Sequence, residues 1–243
     1  MGNIIWQDFE FFLTRLRNLP ISKSLALGDN GGFCVSTSCS FESWVYYPER
    51  INNPEIVKSV INFFKQDNIS FMWPLYNGGE KILEDCGLVY AGDLTAMSYT
   101  PKSLQPNKNL LSIHEADVID WAQTAWRGFG DDERTPENYY KLVEALKNDK
   151  DKFTLYLANY EGEHAGSFLI TNEENLMGVY YFATVPEFRR KGIARAMMNE
   201  ICNLSRGKTI VLQATPIGKL FYKSFGFEER FIIPIYSTEA NIF

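Results

Sequence analysis

Apolar positions recur along the chain at two spacings, one helical and one alternating. Near the start, Ile5, Phe9, Phe12 and Leu16 share one stripe, which predicts an amphipathic helix over 3–17. FCVSTS at 33–38 and SWVYY at 43–47 predict strands. Asn53 and Pro54 then read as the cap and first position of a helix with Ile56, Val57, Val60, Ile61 and Phe64 on one side. ISFMW at 69–73 predicts a strand, and GGEKILEDCG a short helix stopped by Gly87. Residues 88–99 predict one strand or two. The cluster Gly28-Asp29-Asn30-Gly31-Gly32 precedes a strand and carries an acid, so it reads as a hairpin or loop.

The segment TPKSLQPNKN, 100–109, has two prolines and almost nothing apolar, so it reads as a linker between 1–105 and 106–243. Past it the order restarts. NLLSIHEA predicts a strand, and DVIDWAQTAWRGF a helix with Val118, Trp121, Ala122, Ala125 and Trp126 inward. Thr135 and Pro136 open a second helix with Tyr139, Leu142, Val143 and Leu146 on its apolar side. KFTLYLANY, HAGSFLI and NLMGVYYFATV predict three strands, the first two joined by a turn at Glu161-Gly162-Glu163. A helix follows over 192–205, with Ile193, Met197, Ile201 and Leu204 in step. Then come a strand over 208–215, a helix capped by Thr215 and ended by Gly226, and a last strand in ERFIIPIYS. Helices and strands alternate only late, which favours an α+β fold with a mixed sheet over a doubly wound one.

Composition narrows the classes. In 243 residues, 45% hydrophobic and 22% charged content is the balance of a soluble globular protein of one large or two modest domains. A net charge of −6 argues against a nucleic-acid partner, which needs a basic face. No apolar run approaches the ~20 residues that cross a bilayer, so no membrane association is expected. Charges interrupt MGNIIWQDFEFFLTRLRN, unlike a secretory signal, and Trp6 stands where a myristoylated start carries Ser or Thr. Four cysteines and two histidines make a metal site unexpected; the thiols fit a reducing cytoplasm.

One stretch stands out against the acidic balance. In VPEFRRKGIARAMM, Arg189, Arg190 and Lys191 run into Gly192 at a helix start, with Arg195 one turn on. A helix start leaves amide N–H groups without partners and carries partial positive charge, so a phosphate is stabilised there. Gly192 has no Cβ to keep an anion away from the backbone, and Ala194 stays small. The same basic cluster also reads as a solvated helix start.

The context of that turn resembles the GNAT superfamily of acyl-CoA-dependent N-acetyltransferases. The family's first signature is Arg or Gln, two residues, Gly, one residue, then Gly or Ala. It is matched by Arg189, Gly192 and Ala194 after the strand YYFATV. In QATPIGKLFYKSFGFEE, Tyr222 stands four residues before Gly226-Phe227, as in the family's second signature. The resemblance covers about 106–243 and implies a sheet that splays at its fourth strand to make a slot for pantetheine. By position, the backbone of Ala183, Thr184 and Val185 would pair with the pantetheine amides. The amides of Arg190, Lys191, Gly192, Ile193, Ala194 and Arg195, with Arg189 beside them, would hold the pyrophosphate of acetyl-CoA or another acyl-CoA. Tyr222 would protonate the leaving thiolate; it also reads as a packed aromatic. The implied reaction is direct attack by a primary amine of a small molecule or peptide in a ternary complex. The family's strand glutamate, a general base in some members, falls on Val179, which leaves a non-catalytic acyl-CoA sensor as the alternative.

On the acceptor side the family places the loop that is WRGFGDDERTPE here. Trp126 and Phe129 would give an apolar wall, and Asp131, Asp132 and Glu133 would attract a cationic amine. The same residues also read as a helix core and a solvated acidic cluster. His164, after the hairpin, reads as a surface residue. Upstream, residues 69–97 look like the last third of the same fold, with Leu83 in place of the tyrosine and Gly87-Leu88 in place of Gly-Phe. The expectation is a tandem arrangement whose N-terminal copy is degenerate. That copy would complete the sheet, cover the acceptor site or make a homodimer contact.

Overall fold

Helix α1 (Gly2–Asn18) buries the stripe expected of it, with Ile5, Phe9, Phe12, Leu13 and Leu16 all inside. It opens a computed structural model that describes residues 2–37, 39, 42–103, 111–130 and 134–240. Strands β1 (Lys23–Leu27) and β2 (Gly32–Ser36) form an antiparallel hairpin across the glycine cluster, and β3 (Trp44–Tyr46) extends it to three strands. Gly28 and Gly31 take positive φ in the connection, and Asn30 Oδ1 accepts from Gly32 N at 3.0 Å. Helix α2 (Pro54–Lys65) starts where Asn53 Oδ1 accepts from Glu55 N at 2.9 Å, and it buries Val57, Val60 and Phe64.

The strand expected over 69–73 shrinks to β4 (Trp73–Pro74). Its first half is diverted: Ile69 N bonds back to Phe64 O at the end of α2, and Met72 exchanges backbone bonds with Ser43 and Val45 as an isolated bridge beside Trp44. Helix α3 (Glu80–Asp85) ends in a Schellman turn, with Leu88 N to Leu83 O at 3.0 Å, Gly87 N to Glu84 O at 2.9 Å, and Gly87 at φ 91°. Residues 88–99 give one strand, β5 (Val89–Tyr99). Val45, Ile51, Val57, Phe64, Phe71, Trp73 and Leu83 fill one apolar cluster among these elements.

The remaining elements are β6 (Ser112–Glu115), α4 (Val118–Phe129), α5 (Glu137–Asn148), β7 (Phe153–Tyr160), β8 (Glu163–Asn172) and β9 (Leu176–Thr184). After them come a 3-10 turn (Pro186–Phe188), α6 (Ile193–Ser205), β10 (Thr209–Ala214), α7 (Pro216–Phe225) and β11 (Glu228–Ser237). The β7–β8 turn has Glu161 and Gly162 both at positive φ, the geometry that matches strand twist in a two-residue hairpin. Thr215 caps α7, its Oγ1 accepting from Gly218 N at 3.3 Å. Thr135 does not cap α5. That helix begins one residue later than expected, with Pro136 extended in the cap position and Thr135 buried.

Contacts divide the chain into two compact units. One holds Met1–Met97, Gln213–Ser224 and Glu229–Phe243; the other holds Ser98–Leu212 and Phe225–Glu228. This differs from a division at the 100–109 linker, because β11 pairs antiparallel with β4 through Ile235↔Pro74 and Tyr236↔Trp73. Periodicity reports that 228–237 is a strand and is silent about its partner.

In the second unit the strand order is β10-β9-β8-β7-β6, antiparallel except for the parallel β9–β10 pair. Alternate residues carry opposite faces. A Cβ on Gly128 of α4 would stand 2.5 Å from Ala183 Cβ, while a Cβ on Gly166, which pairs one register step away with Thr184, would meet Met197 of α6 at 2.8 Å. Helices α4 and α6 therefore cover opposite faces, and α5 lies against α4 and β7.

Candidate functional site

Strand β9 is irregular where it matters. Its pairing with β8 shifts between Ser167↔Ala183 and Leu169↔Tyr180, so β9 carries one extra residue, and Tyr181 sits at φ 50°. Positive φ at a tyrosine costs about 1–3 kcal/mol and persists only where the surroundings hold it. Here Trp121 of α4 stacks edge-on against Tyr181, with ring centroids 5.4 Å apart. On the other edge, the β10 register ends at Val211↔Gly178, although β9 continues to Thr184. Thr184, at the end of β9, lies six residues past that ladder.

The three residues expected to pair along that edge are not equivalent. Val185 N–H donates to Ala165 O at 3.0 Å, and antiparallel alternation turns the polar groups of Ala183 the same way, toward β8. Thr184 alone of the three turns its polar groups away from β8, and its carbonyl accepts from Arg189 Nε at 3.1 Å. The Arg189 guanidinium also donates through Nη2 to Gly128 O at 3.1 Å. The first residue of the RxxGxA motif thus works through its side chain as a clamp on two carbonyls. Beside this clamp, Arg127 of α4 pairs with Glu187 in the 3-10 turn.

The turn after Arg189 is shaped for an anion. Arg190 lies at φ 64° and Gly192 at φ 83°, both left-handed, so successive N–H groups converge as in an anion-binding nest. Gly192 is the N-cap of α6 and no side chain caps the helix; Ala196 is the first residue to bond back, to Gly192 O at 3.0 Å. Among the described residues, the N–H groups of Arg190, Lys191, Gly192, Ile193, Ala194 and Arg195 have no hydrogen-bond acceptor. The first turn of α6 carries no acid. Lys191 Nζ lies over the rings of Phe188 and Tyr160, at 5.0 and 5.5 Å, and the Arg195 guanidinium lies over Phe225 at 5.6 Å. A diphosphate fits this turn: the donors are uncommitted, the backbone approach is free of a Cβ, and the flanking charge is positive.

Tyr222 lies in the first unit, buried on α7, and desolvation pushes its phenol pKa well above the usual value. Gly218 lies beneath it: a Cβ there would be 3.2 Å from the Tyr222 ring. Val179, which the sequence reading set at the position of the family's strand glutamate, is buried on β9. Trp126 is half-buried and packs on Tyr139 with ring centroids 5.4 Å apart, whereas Phe129 is 59% exposed. Asp131, Asp132 and Glu133 lie outside the described residues. His164 is half-buried, with Asn159 Oδ1 at 2.8 Å from Nδ1 and Asp120 Oδ2 at 3.3 Å from Nε2. Among the described residues no group of three or more His, Cys, Asp or Glu is placed to hold a metal ion. None of the described helices is long and apolar enough to cross a membrane.

Sequence reading missed the β9 bulge, the Arg189 clamp and the role of Gly128. The only signal for the clamp was the arginine of the motif itself. For Gly128 it was a glycine inside an otherwise good helical pattern.

Known proteins agree with this architecture. Residues 151–229 match the acetyltransferase (GNAT) domain family. No curated protein matches the sequence. Among solved structures, a GCN5-related N-acetyltransferase from Kribbella flavida superposes with TM-score 0.66 at 11% identity, covering 97% of this chain and 94% of that one. A tandem GNAT protein from the clavulanic acid biosynthesis pathway gives TM-score 0.59 at 8% identity, covering 90% and 83%. A GCN5-related N-acetyltransferase from Sphaerobacter thermophilus gives 0.56 at 14%, covering 77% and 68%. At such identities the likeness is one of fold. The domain match is confined to 151–229, and over most of the chain the likeness is to the GNAT fold.

Proposed function

We propose that the chain transfers an acyl group from an acyl-CoA, acetyl-CoA first among them, to a primary amine of a small molecule or peptide. The observation that carries this reading is the uncapped entrance of α6, where six consecutive N–H groups, Arg190 through Arg195, await an acceptor. Thr184, beyond the β9–β10 ladder and turned away from β8, supports the same reading. When bound, the acyl-CoA supplies a thioester whose carbonyl carbon is open to attack by an amine.

The chain's own residues then divide the work. The amides of 190–195 hold the pyrophosphate, with Arg190, Lys191 and Arg195 adding charge. Thr184 offers its outward N–H to the pantetheine arm, and Phe182 shares that phase of the strand. Arg189 is a positioning residue: it fixes the turn through Thr184 O and Gly128 O. Phe129 gives the acceptor an apolar wall, while Trp126 supports that wall from within the helix. Tyr222 keeps its proton at neutral pH, since burial raises its pKa. A thiol titrates near ~8.5, below a phenol, so full transfer from Tyr222 is uphill. Its contribution is a hydrogen bond to the departing sulfur, with water completing the protonation. With Val179 at the base position, the amine enters neutral or gives its proton to water. The role of Tyr222 rests on its place before Gly226-Phe227. Residues 1–105 serve as a degenerate copy without a phosphate turn.

Calorimetry with coenzyme A, paired with thiol release from acetyl-CoA over a panel of amines, tests the proposal. Uptake in the micromolar range and amine-dependent turnover that falls in Tyr222→Phe are expected. No uptake refutes the reading; uptake without turnover on any amine replaces it with an acyl-CoA sensor.

A further inference from the structure

An acid stands close to the turn that is shaped for an anion. Glu187 is the only acidic residue from Val185 to Asn199, and it comes three residues before Arg190, where the row of open N–H groups begins. A capping side chain reaches a backbone amide across that same span. A carboxylate seated on those groups would cancel their charge and would have to be displaced by any incoming anion. Glu80 shows that this chain forms such contacts, since its carboxylate accepts from Gly79 N–H at 2.9 Å at the entrance of α3.

Glu187 is held elsewhere. Its carboxylate pairs with the Arg127 guanidinium, on the last turn of α4. As a stabiliser the pair counts for little, because its side chains are 44% and 51% exposed and ion pairs so placed are screened by water. What it fixes is the direction of the Glu187 side chain. The other acid beside the turn is engaged as well: Glu161 accepts from the phenol of Tyr160, whose ring has Lys191 Nζ 5.5 Å from its centroid.

We propose that Arg127 is a positioning residue that holds Glu187 off the anion-binding turn, and that without it the Glu187 carboxylate closes on the N–H groups ahead of α6. Naming their ligand as the pyrophosphate of coenzyme A rests on the acyl-transfer reading above; the competition by Glu187 does not.

The test is a cycle of Arg127→Gln, Glu187→Gln and the double variant, followed by calorimetry with coenzyme A. Arg127→Gln should raise the Kd about fivefold, the loss of roughly one hydrogen bond, with little change in melting temperature. Glu187→Gln should bind at least as tightly as the parent. In the double variant the Kd should return to within about twofold of the parent, since removing the acid removes the reason for the arginine. Arg127→Lys, which keeps the cation, should stay near the parent. An unchanged Kd in Arg127→Gln overturns the proposal. So does weakening of equal size in all three variants of the cycle, which is what a pair that merely braces the turn would give; either result leaves acyl transfer standing. If the parent takes up no coenzyme A, acyl transfer fails, and the cycle is read without ligand from amide hydrogen exchange by NMR. Slower exchange within 190–195 in Arg127→Gln, reversed in the double variant, keeps the proposal, and exchange equal to the parent's removes it.

Discussion

Two helices of this protein open on a left-handed glycine, and they put it to opposite uses. At α3, Gly79 lies at φ 117°, ψ 14°; at α6, Gly192 lies at φ 83°, ψ 2°; neither is capped by its own side chain. The next residue decides the outcome. Glu80 turns its carboxylate back onto Gly79 N–H at 2.9 Å, and backbone hydrogen bonds from its own N–H and from Gly79 N–H lower the Glu80 pKa below its usual value. Gly79 is fixed sterically as well, since a Cβ there would lie 2.6 Å from Ile51 Cβ. At α6 the neighbours are Arg190, Lys191 and Arg195, and the first turn has no acid. One backbone device thus closes on the chain's own anion at α3 and stays uncapped at α6, where a foreign anion is proposed, and the side chains beside it differ in sign.

The sharpest way to break the comparison is to give α6 what α3 has. Gly192→Asp puts a carboxylate at the open entrance and strains a positive φ. Losing two hydrogen bonds to a charged ligand costs about 3 kcal/mol or more, so coenzyme A affinity by calorimetry should fall roughly a hundredfold. Arg189→Ala should do less. It removes two bonds to carbonyls in a partly exposed place, so about a tenfold rise in coenzyme A Kd is expected, with a lower melting temperature. Glu80→Gln tests the other side. It should leave coenzyme A affinity unchanged and reduce stability by only about 0.3–1 kcal/mol in denaturant titrations. Because the folded Glu80 pKa is lowered, that stabilisation is complete above the unfolded value near ~4.3 and is lost as pH falls through the folded value. The mutant and parent should therefore converge in acid. The smallest effect is a control on the seating of α6. Burial raises the Cys202 pKa to about 12, as it does for Cys39. Cys34 is buried too, so only half-exposed Cys86 should react readily with a disulfide reagent in the native state. A second fast thiol on Cys202 would mean that α6 does not pack as described.

What the sequence made legible was local. The stripe of α1, the Asn53-Pro54 start of α2, the Glu161-Gly162 turn and the Thr215 cap each depend on a few adjacent residues, and each lies where periodicity and turn chemistry put it. The Gly192 entrance was legible for the same reason. What escaped depends on distant partners. The run YYF at 180–182 looks like uninterrupted strand, and only its register against β8 reveals the extra residue. KSLAL opens with two polar residues, so β1 becomes a strand only through β2. Gly128 is small because Ala183 is close, and nothing near Gly128 in sequence says so.

The paired fastenings between α4 and the segment after β9, Arg127 to Glu187 and Arg189 to Gly128 O, carry a thermodynamic obligation. They tie the last turn of α4 to the loop before α6. Whatever factor an occupied loop adds to the grip on a second ligand beside α4, that ligand must add the same factor in return. Order of arrival then becomes a matter of ligand concentrations, and saturation curves measured at several fixed levels of one ligand should slide along the axis of the other by equal ratios.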